Sequence, residues 1–273
     1  MSMARSCFSS VVRHCLSLQK QFEEEFQCSS LNFQIMVLLS PMDLLGTDFG
    51  ALTLIHLLFQ KNSSSNSHID LILKPSEEDM KICLLFQVEP SLGLGGDLML
   101  TSRIRNMNTD GKPFTFAFAY HTYFSVSDIS EVRVEGLGTL DYLDNLQNKE
   151  RFTEQGDAIT FETEVDRIYL SAPTKTAILD HGKKRTFAIR KDGLPDAVVW
   201  NPWDKKAKAL ADFGDDEYKH MLCVETAAIE KPVTLKPGEE WRGRQELCAV
   251  PSSYCGGLLD ARKVLQCAEK MHY

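Results

Sequence analysis

No Cys-x-x-Cys pair, no P-loop, no Gly-x-Gly-x-x-Gly strand–helix unit and no Gly-x-Ser-x-Gly elbow occurs in the 273 residues. Those absences argue against nucleotide-phosphate cradles, dinucleotide folds and hydrolase nucleophiles. The eight cysteines, Cys7, Cys15, Cys28, Cys83, Cys223, Cys248, Cys255 and Cys267, are scattered and lack paired histidines at ligand spacing. Neither a zinc site nor a disulfide framework is therefore indicated, and reduced thiols in a cytoplasmic protein are the plain reading. Long apolar runs are missing as well: the stretch from Ile35 to Phe59 is broken by Pro41, Asp43 and Asp48. Acids are costly in lipid, so no membrane association is expected. Positive charge is also in short supply, with 30 Lys and Arg against 38 Asp and Glu and a net charge of −8. A general nucleic-acid binder is disfavoured, and any phosphate must be met by a local basic cluster.

What is present is strand pattern. With 43% hydrophobic and 25% charged residues the chain is ordinary for a globular protein, and no linker divides its patterned part, so one large all-β domain is expected. From about Ser67 onward, short runs alternate with period two between Gly, Pro, Asn and Asp turn signals at roughly ten-residue intervals. The stretches His68–Lys74, Leu98–Arg105, Phe114–Tyr120, Glu131–Val134, Thr186–Arg190, Ala197–Trp200 and Glu246–Val250 read as strands of a sandwich or barrel. Helical signals are few, the best being Leu259 to Lys270.

The run Phe114–Tyr120 carries the first functional hint. Alternation puts Phe114, Phe116, Phe118 and Tyr120 on one face and Thr115, Ala117 and Ala119 on the other. The aromatic face is core. One residue further, His121 falls on the small-residue face, where missing bulk leaves room for a ligand above the sheet. Taken alone, His121 is equally a hydrogen-bonded histidine at a strand end.

Further stretches weigh on that choice: Ala119–Phe124 (AYHTYF), Arg151–Glu154 (RFTE), Val165–Tyr169 (VDRIY), Val198–Trp203 (VVWNPW), Cys223–Glu225 (CVE) followed by Ile229–Pro232 (IEKP), and Leu235–Glu239 (LKPGE). In this order and spacing, over about Ser67 to Ser253, the chain resembles the plant-type glucose-6-phosphate 1-epimerases, hexose-6-phosphate mutarotases of the aldose-1-epimerase superfamily. The resemblance weakens at Cys83 to Pro90, where a Trp-Pro step is usual. It implies a galactose-mutarotase-like β-sandwich, a general acid at His121, a general base at Glu225 and a sugar-hydroxyl ligand at Asp166. It also implies a monomeric cytoplasmic enzyme with no cofactor and no metal, whose partner is a small hexose 6-phosphate. Anomer exchange suits these residue types. One group takes the anomeric hydroxyl proton while another protonates the ring oxygen, and roles exchange on the way back. Without the family, Glu225 is as readily a salt-bridged strand carboxylate, and Asp166 a turn residue ahead of a strand at Ile168–Leu170. Trp200 and Trp203 could stack on a sugar or simply pack, and Asp204–Lys206 reads as a solvated turn rather than a phosphate site.

Residues 1–66 depart from this pattern. The family's Arg-Gly-Gly-Ile-Pro and His-Gly-Phe-Ala-Arg-Asn segments, whose arginines are expected to hold the phosphate, are absent. Met1 to Lys20, rich in Ser and Arg and free of acids, has instead the composition of a transit peptide. The genetic code offers an explanation. Codons permitted for Pro41 to Thr53, read from the third base of each into the next, give His-Gly-Phe-Ala-Arg-Asn-Arg-Leu-Trp-Gly-Ile-Asp. The same shift over Leu16 to Phe33 permits a run containing Arg-Gly-Gly-Ile-Pro. At least Leu16 to Thr53 therefore reads as an out-of-frame translation, and the transit-peptide character as an accident of frame. The expected organisation is an aberrant segment over 1–66, a mutarotase-like sandwich over 67–255, incomplete at its N-terminus, and a tail over 256–273 with a short helix. The early strands should be lost, leaving sheet edges exposed. Two other functions stay open: a non-catalytic carbohydrate-binding sandwich, and an aldose 1-epimerase acting on unphosphorylated sugar.

Overall fold

The computed structural model describes residues 31–39, 52–56, 71–73, 84–92, 97–210 and 213–251, with side chains over 97–210 and 213–250. The strands are β1 (Leu31–Leu39), β2 (Leu52–His56), β3 (Leu71–Leu73), β4 (Leu84–Leu92), β5 (Leu98–Asn106), β6 (Phe114–Ser125), β7 (Val132–Glu135) and β8 (Asp141–Asp144). They continue as β9 (Glu150–Thr153), β10 (Ala158–Ile159), β11 (Val165–Tyr169), β12 (Lys175–Asp180), β13 (Arg185–Asp192), β14 (Asp196–Asn201), β15 (Met221–Leu235) and β16 (Glu240–Pro251). Among the described residues one α-helix, α1 (Trp203–Ala209), follows β14.

Two eight-stranded sheets result, in the orders β2-β1-β6-β15-β14-β11-β8-β9 and β10-β7-β12-β13-β16-β5-β4-β3. Every ladder among the described residues is antiparallel. The all-β sandwich expected from the sequence is thus the fold observed. Its core lies where inward faces meet, and β6 shows why the sequence pairs this way. Phe114, Phe116, Phe118, Tyr120 and Phe124 are each no more than 1% exposed, and a fully buried side chain of this kind contributes about 1.5–3 kcal/mol. Phe118 packs edge-on against Tyr120 at 4.9 Å and against Trp241 of the opposite sheet at 4.8 Å. The polar groups on this face are paired: the Tyr120 hydroxyl donates to Ser102 Oγ at 2.8 Å, Gln245 Nε2 donates to Thr122 Oγ1, and Thr226 Oγ1 donates to Gln245 Oε1.

Three expectations need correction. The outer edge of β6 is paired: Leu31–Leu39 run antiparallel to it, with Leu31 opposite Phe124 and Leu39 opposite Phe116. Ladder bonds come from the main chain, so an apolar segment of any origin can fill this place. Asp166 is no turn residue, since it lies inside β11 opposite Trp200 of β14. Asp204–Lys206 belongs to α1, not to a turn. The helix expected at Leu259–Lys270 lies outside the described residues, as does most of 1–66, and of His68–Lys74 only Leu71–Leu73 is described.

Candidate active site

The face of the sheet opposite the aromatic core carries the candidate site residues. Residues directly opposite in an antiparallel ladder share a face. One row across β11, β14, β15 and β6 therefore reads Asp166, Trp200, Cys223, Tyr123. The next row reads Ile168, Val198 and Glu225, and the β15–β6 register, which pairs Cys223 with Tyr123 and Thr226 with Tyr120, puts His121 across from Glu225. Beyond it the same face is apolar, with Ala119, Ile168, Leu170, Val198 and Ala227 packed together. The Cys-x-Glu step on β15 and the His-x-Tyr step on β6 thus deliver four polar side chains to one spot by period-two geometry alone.

His121, Glu225 and Cys223 are buried, at 2%, 7% and 0% exposure. His121 Nδ1 lies 2.5 Å from Glu225 Oε1, and the Tyr123 hydroxyl lies 2.8 Å from Nε2. Two acceptors cannot approach so closely without a hydrogen between them, so a proton lies on the Nδ1–Oε1 line. Cys223 Sγ sits 3.0 Å from Nδ1 and donates to Glu225 Oε1 at 3.6 Å. Burial above all, then the charge of Glu225, pushes the Cys223 thiol well above its ordinary range. It stays protonated and unreactive as a nucleophile.

Asp166 stands one row away. Burial raises its pKa, opposed by a hydrogen bond from Asn145 Nδ2 at 2.7 Å and by Lys206, and reinforced by the negative charges of Glu225 and Glu164. The Lys206 ammonium, delivered by α1, is 2.8 Å from Glu164 and 3.8 Å from Asp166. The structure therefore brings His121 and Glu225 into contact and sets Asp166 within electrostatic reach. Trp200 is 5% exposed and packed with Ala207, Phe213, Met221 and Cys223, so it is a wall rather than a sugar platform. Trp203 is partly buried against Tyr218, with ring centroids 5.3 Å apart.

Sequence reasoning missed Tyr123, Cys223, Asn145 and Lys206. For the first two a signal existed, since each lies two residues from a candidate on the same strand. Asn145 and Lys206 arrive from a single-turn 3-10 helix and from α1, where no period-two pattern points to them.

An antiparallel double sheet with a buried imidazole–carboxylate pair on one broad face defines a sandwich of the galactose-mutarotase-like class. Comparison with known proteins goes further: residues 58–248 match the aldose 1-epimerase family, and the chain belongs to it. Over 207 residues, 75% of this chain and 63% of the relative, it is 70% identical to a protein of Cenchrus ciliaris named "Putative glucose-6-phosphate 1-epimerase". A protein of the same name from Haemophilus influenzae is 35% identical over 111 residues, 41% of this chain and 39% of the relative. The crystal structure of a "putative mutarotase" from Salmonella typhimurium shares the fold, with a TM-score of 0.62 at 23% identity over 70% of this chain and 63% of that one. The chain thus spans less than two thirds of the length of these relatives.

Proposed function

We propose that this chain derives from an isomerase that interconverts the α and β anomers of glucose 6-phosphate or a related hexose 6-phosphate by acid–base ring opening. The observation that carries the reading is the 2.5 Å contact between His121 and Glu225 on a buried sheet face. Glu225 takes the proton of the anomeric hydroxyl, electrons fall to C1, the C1–ring-oxygen bond breaks, and His121 delivers a proton to the ring oxygen. Rotation about C1–C2 and closure on the other face return both protons with roles reversed, so the pair ends as it began. Tyr123 on Nε2 orients the imidazole. Asp166, beside the pair with its carboxylate held by Asn145, accepts a sugar hydroxyl. The name of the Cenchrus ciliaris relative supports a phosphorylated hexose as substrate. The free thiols Cys223 and Cys248 support a reducing, cytoplasmic setting.

The family-patterned part of the sandwich occupies 67–255, with 1–66 aberrant and at least Leu16 to Thr53 out of frame, although β1 and β2 from that segment fill places in one sheet. A family match that begins at residue 58, past Thr53 though within 1–66, supports the reading of Leu16 to Thr53 as out of frame. The phosphate then lacks its arginines, each charge-assisted contact being worth about 1.5–3 kcal/mol. Polarimetry of freshly dissolved α-glucose 6-phosphate tests both points. This chain should fall about 10²–10⁴-fold below one whose Leu16–Thr53 is read in the shifted frame. Equal rates, or a message whose shifted frame lacks the family motifs, overturn the frame reading. A frame-restored chain without turnover overturns the isomerase reading.

A further inference from the structure

Cys223 has no role in the proton transfers above, yet its sulfur lies at their centre. We propose that His121 Nδ1, Cys223 Sγ and Glu225 Oε1 form a binding site for a soft divalent cation, Zn2+ in the first instance. The three donor atoms are 2.5, 3.0 and 3.6 Å apart, and all three residues are buried. Their convergence follows from register: Cys223 and Glu225 share a face of β15, and His121 lies across from Glu225 on β6. Because the set combines a two-residue step on one strand with a histidine about a hundred residues away, no local ligand spacing in the sequence announces it.

The geometry suits a tetrahedral ion. Zinc sits about 2.0–2.2 Å from nitrogen and oxygen donors and about 2.3 Å from sulfur, which sets such donors roughly 3.3–3.6 Å apart. The Cys223–Glu225 pair already has that spacing, and the imidazole needs to withdraw by less than about 1 Å. On binding, the ion displaces the thiol hydrogen and takes the place of the hydrogen shared by Nδ1 and Oε1. The imidazole ligates as the neutral ring, keeping one hydrogen on Nε2 toward Tyr123, and the hydrogens beyond that one leave to solvent as protons. Thiolate and carboxylate then balance the two positive charges, and the negative field of Asp166, already felt at Cys223, adds to the attraction. Thiolate, imidazole and carboxylate together favour zinc or cadmium over magnesium or calcium. Tyr123 on Nε2 provides the outer hydrogen bond that orients a ligating histidine. Three protein donors leave a fourth position for water. Binding does not depend on the isomerase reading; if that reading holds, the ion also occupies both proton-transfer partners and stops turnover.

The test uses the full chain, reduced and free of chelator, titrated with Co2+ as a spectroscopic probe and with Zn2+ by calorimetry. The expected result is the intense visible band of tetrahedral cobalt together with a thiolate-to-cobalt charge-transfer band. Both should be lost in Cys223→Ser, with zinc affinity down at least about 10-fold there and in Glu225→Gln. Because other cysteines are present, the signal is the difference between the parent and Cys223→Ser. A folded Cys223→Ser chain with an unchanged cobalt spectrum and zinc affinity overturns the proposal. Should that variant fail to fold, His121→Asn decides: undiminished zinc affinity there overturns it equally.

Discussion

Strands β6 and β15 present two faces made from alternate residues of the same segments, and the faces differ in the kind of polar group they bury. Toward the core, Tyr120, Thr122, Thr226, Ser102 and Gln245 are neutral and hydrogen-bonded to one another among aromatic rings. Toward the site, His121, Cys223, Glu225 and, a row away, Asp166 are ionisable, and the two carboxylates bring negative charge within reach of each other. Neutral pairs satisfy burial and stay put. Ionisable groups in a dry place are expensive to hold but able to exchange protons, so on the proposed function the same ladder serves stability on one side and chemistry on the other.

The contrast breaks most visibly by swapping which side is damaged. Phe118→Ala opens a cavity between Tyr120 and Trp241 and should cost about 3–5 kcal/mol in denaturant-measured stability. Glu225→Gln keeps an oxygen facing His121 Nδ1 and should cost no more than about 1 kcal/mol of stability. In the frame-restored chain, however, it should lower kcat about 10²–10⁴-fold. If Glu225→Gln unfolds the protein as Phe118→Ala does, the division between the faces is wrong.

Much of this division is legible in the sequence, and its limits are physical. The Phe114–Tyr120 alternation assigns both faces of β6 and places His121 correctly, because a period of two survives wherever one face is aromatic and the other small. Strand β15 escapes: Met221 through Ala228 are buried on both faces, so no alternation marks them. A register shift between Ala228 and Val233, spanning Pro232, interrupts the rest. Glu225 and Asp166 were identified through family resemblance rather than pattern, and Asp166 by itself suggested a turn because nothing in Val165–Tyr169 shows that β8 and β14 flank it. The place of β1, between β2 and β6, is unreadable for another reason. Main-chain pairing accepts a side-chain sequence that carries no family signal.

A smaller effect sharpens the neutral side. Gln245 bridges Thr122 and Thr226 through separate atoms of its amide. Gln245→Leu fits a similar volume but takes the Gln245 partner from two buried hydroxyls, leaving Thr122 only a long bond to the Tyr120 carbonyl, and should cost about 1–3 kcal/mol by chemical denaturation. Turnover of the frame-restored chain should stay the same, since these groups face away from the site.

The smallest effect has the opposite sign and comes from the ionisable side. Burial raises the Asp166 pKa in the folded chain above its ordinary 3.8. Between the unfolded and folded values the native state holds the proton and the unfolded state does not, so stability falls as pH rises through that window. At neutral pH the ionised Asp166 therefore carries a cost that Asn does not, while the amide oxygen still accepts from Asn145. Asp166→Asn should give a small rise in Tm at pH 7 that disappears below pH 3.8, where both side chains are neutral in either state. In the frame-restored chain the same change should raise KM for the sugar, since an amide is a weaker acceptor than a carboxylate. A variant that gains stability while losing affinity is what a charge kept for binding predicts. Asp166→Asn lowering Tm at pH 7 would place Asp166 with the structural groups instead.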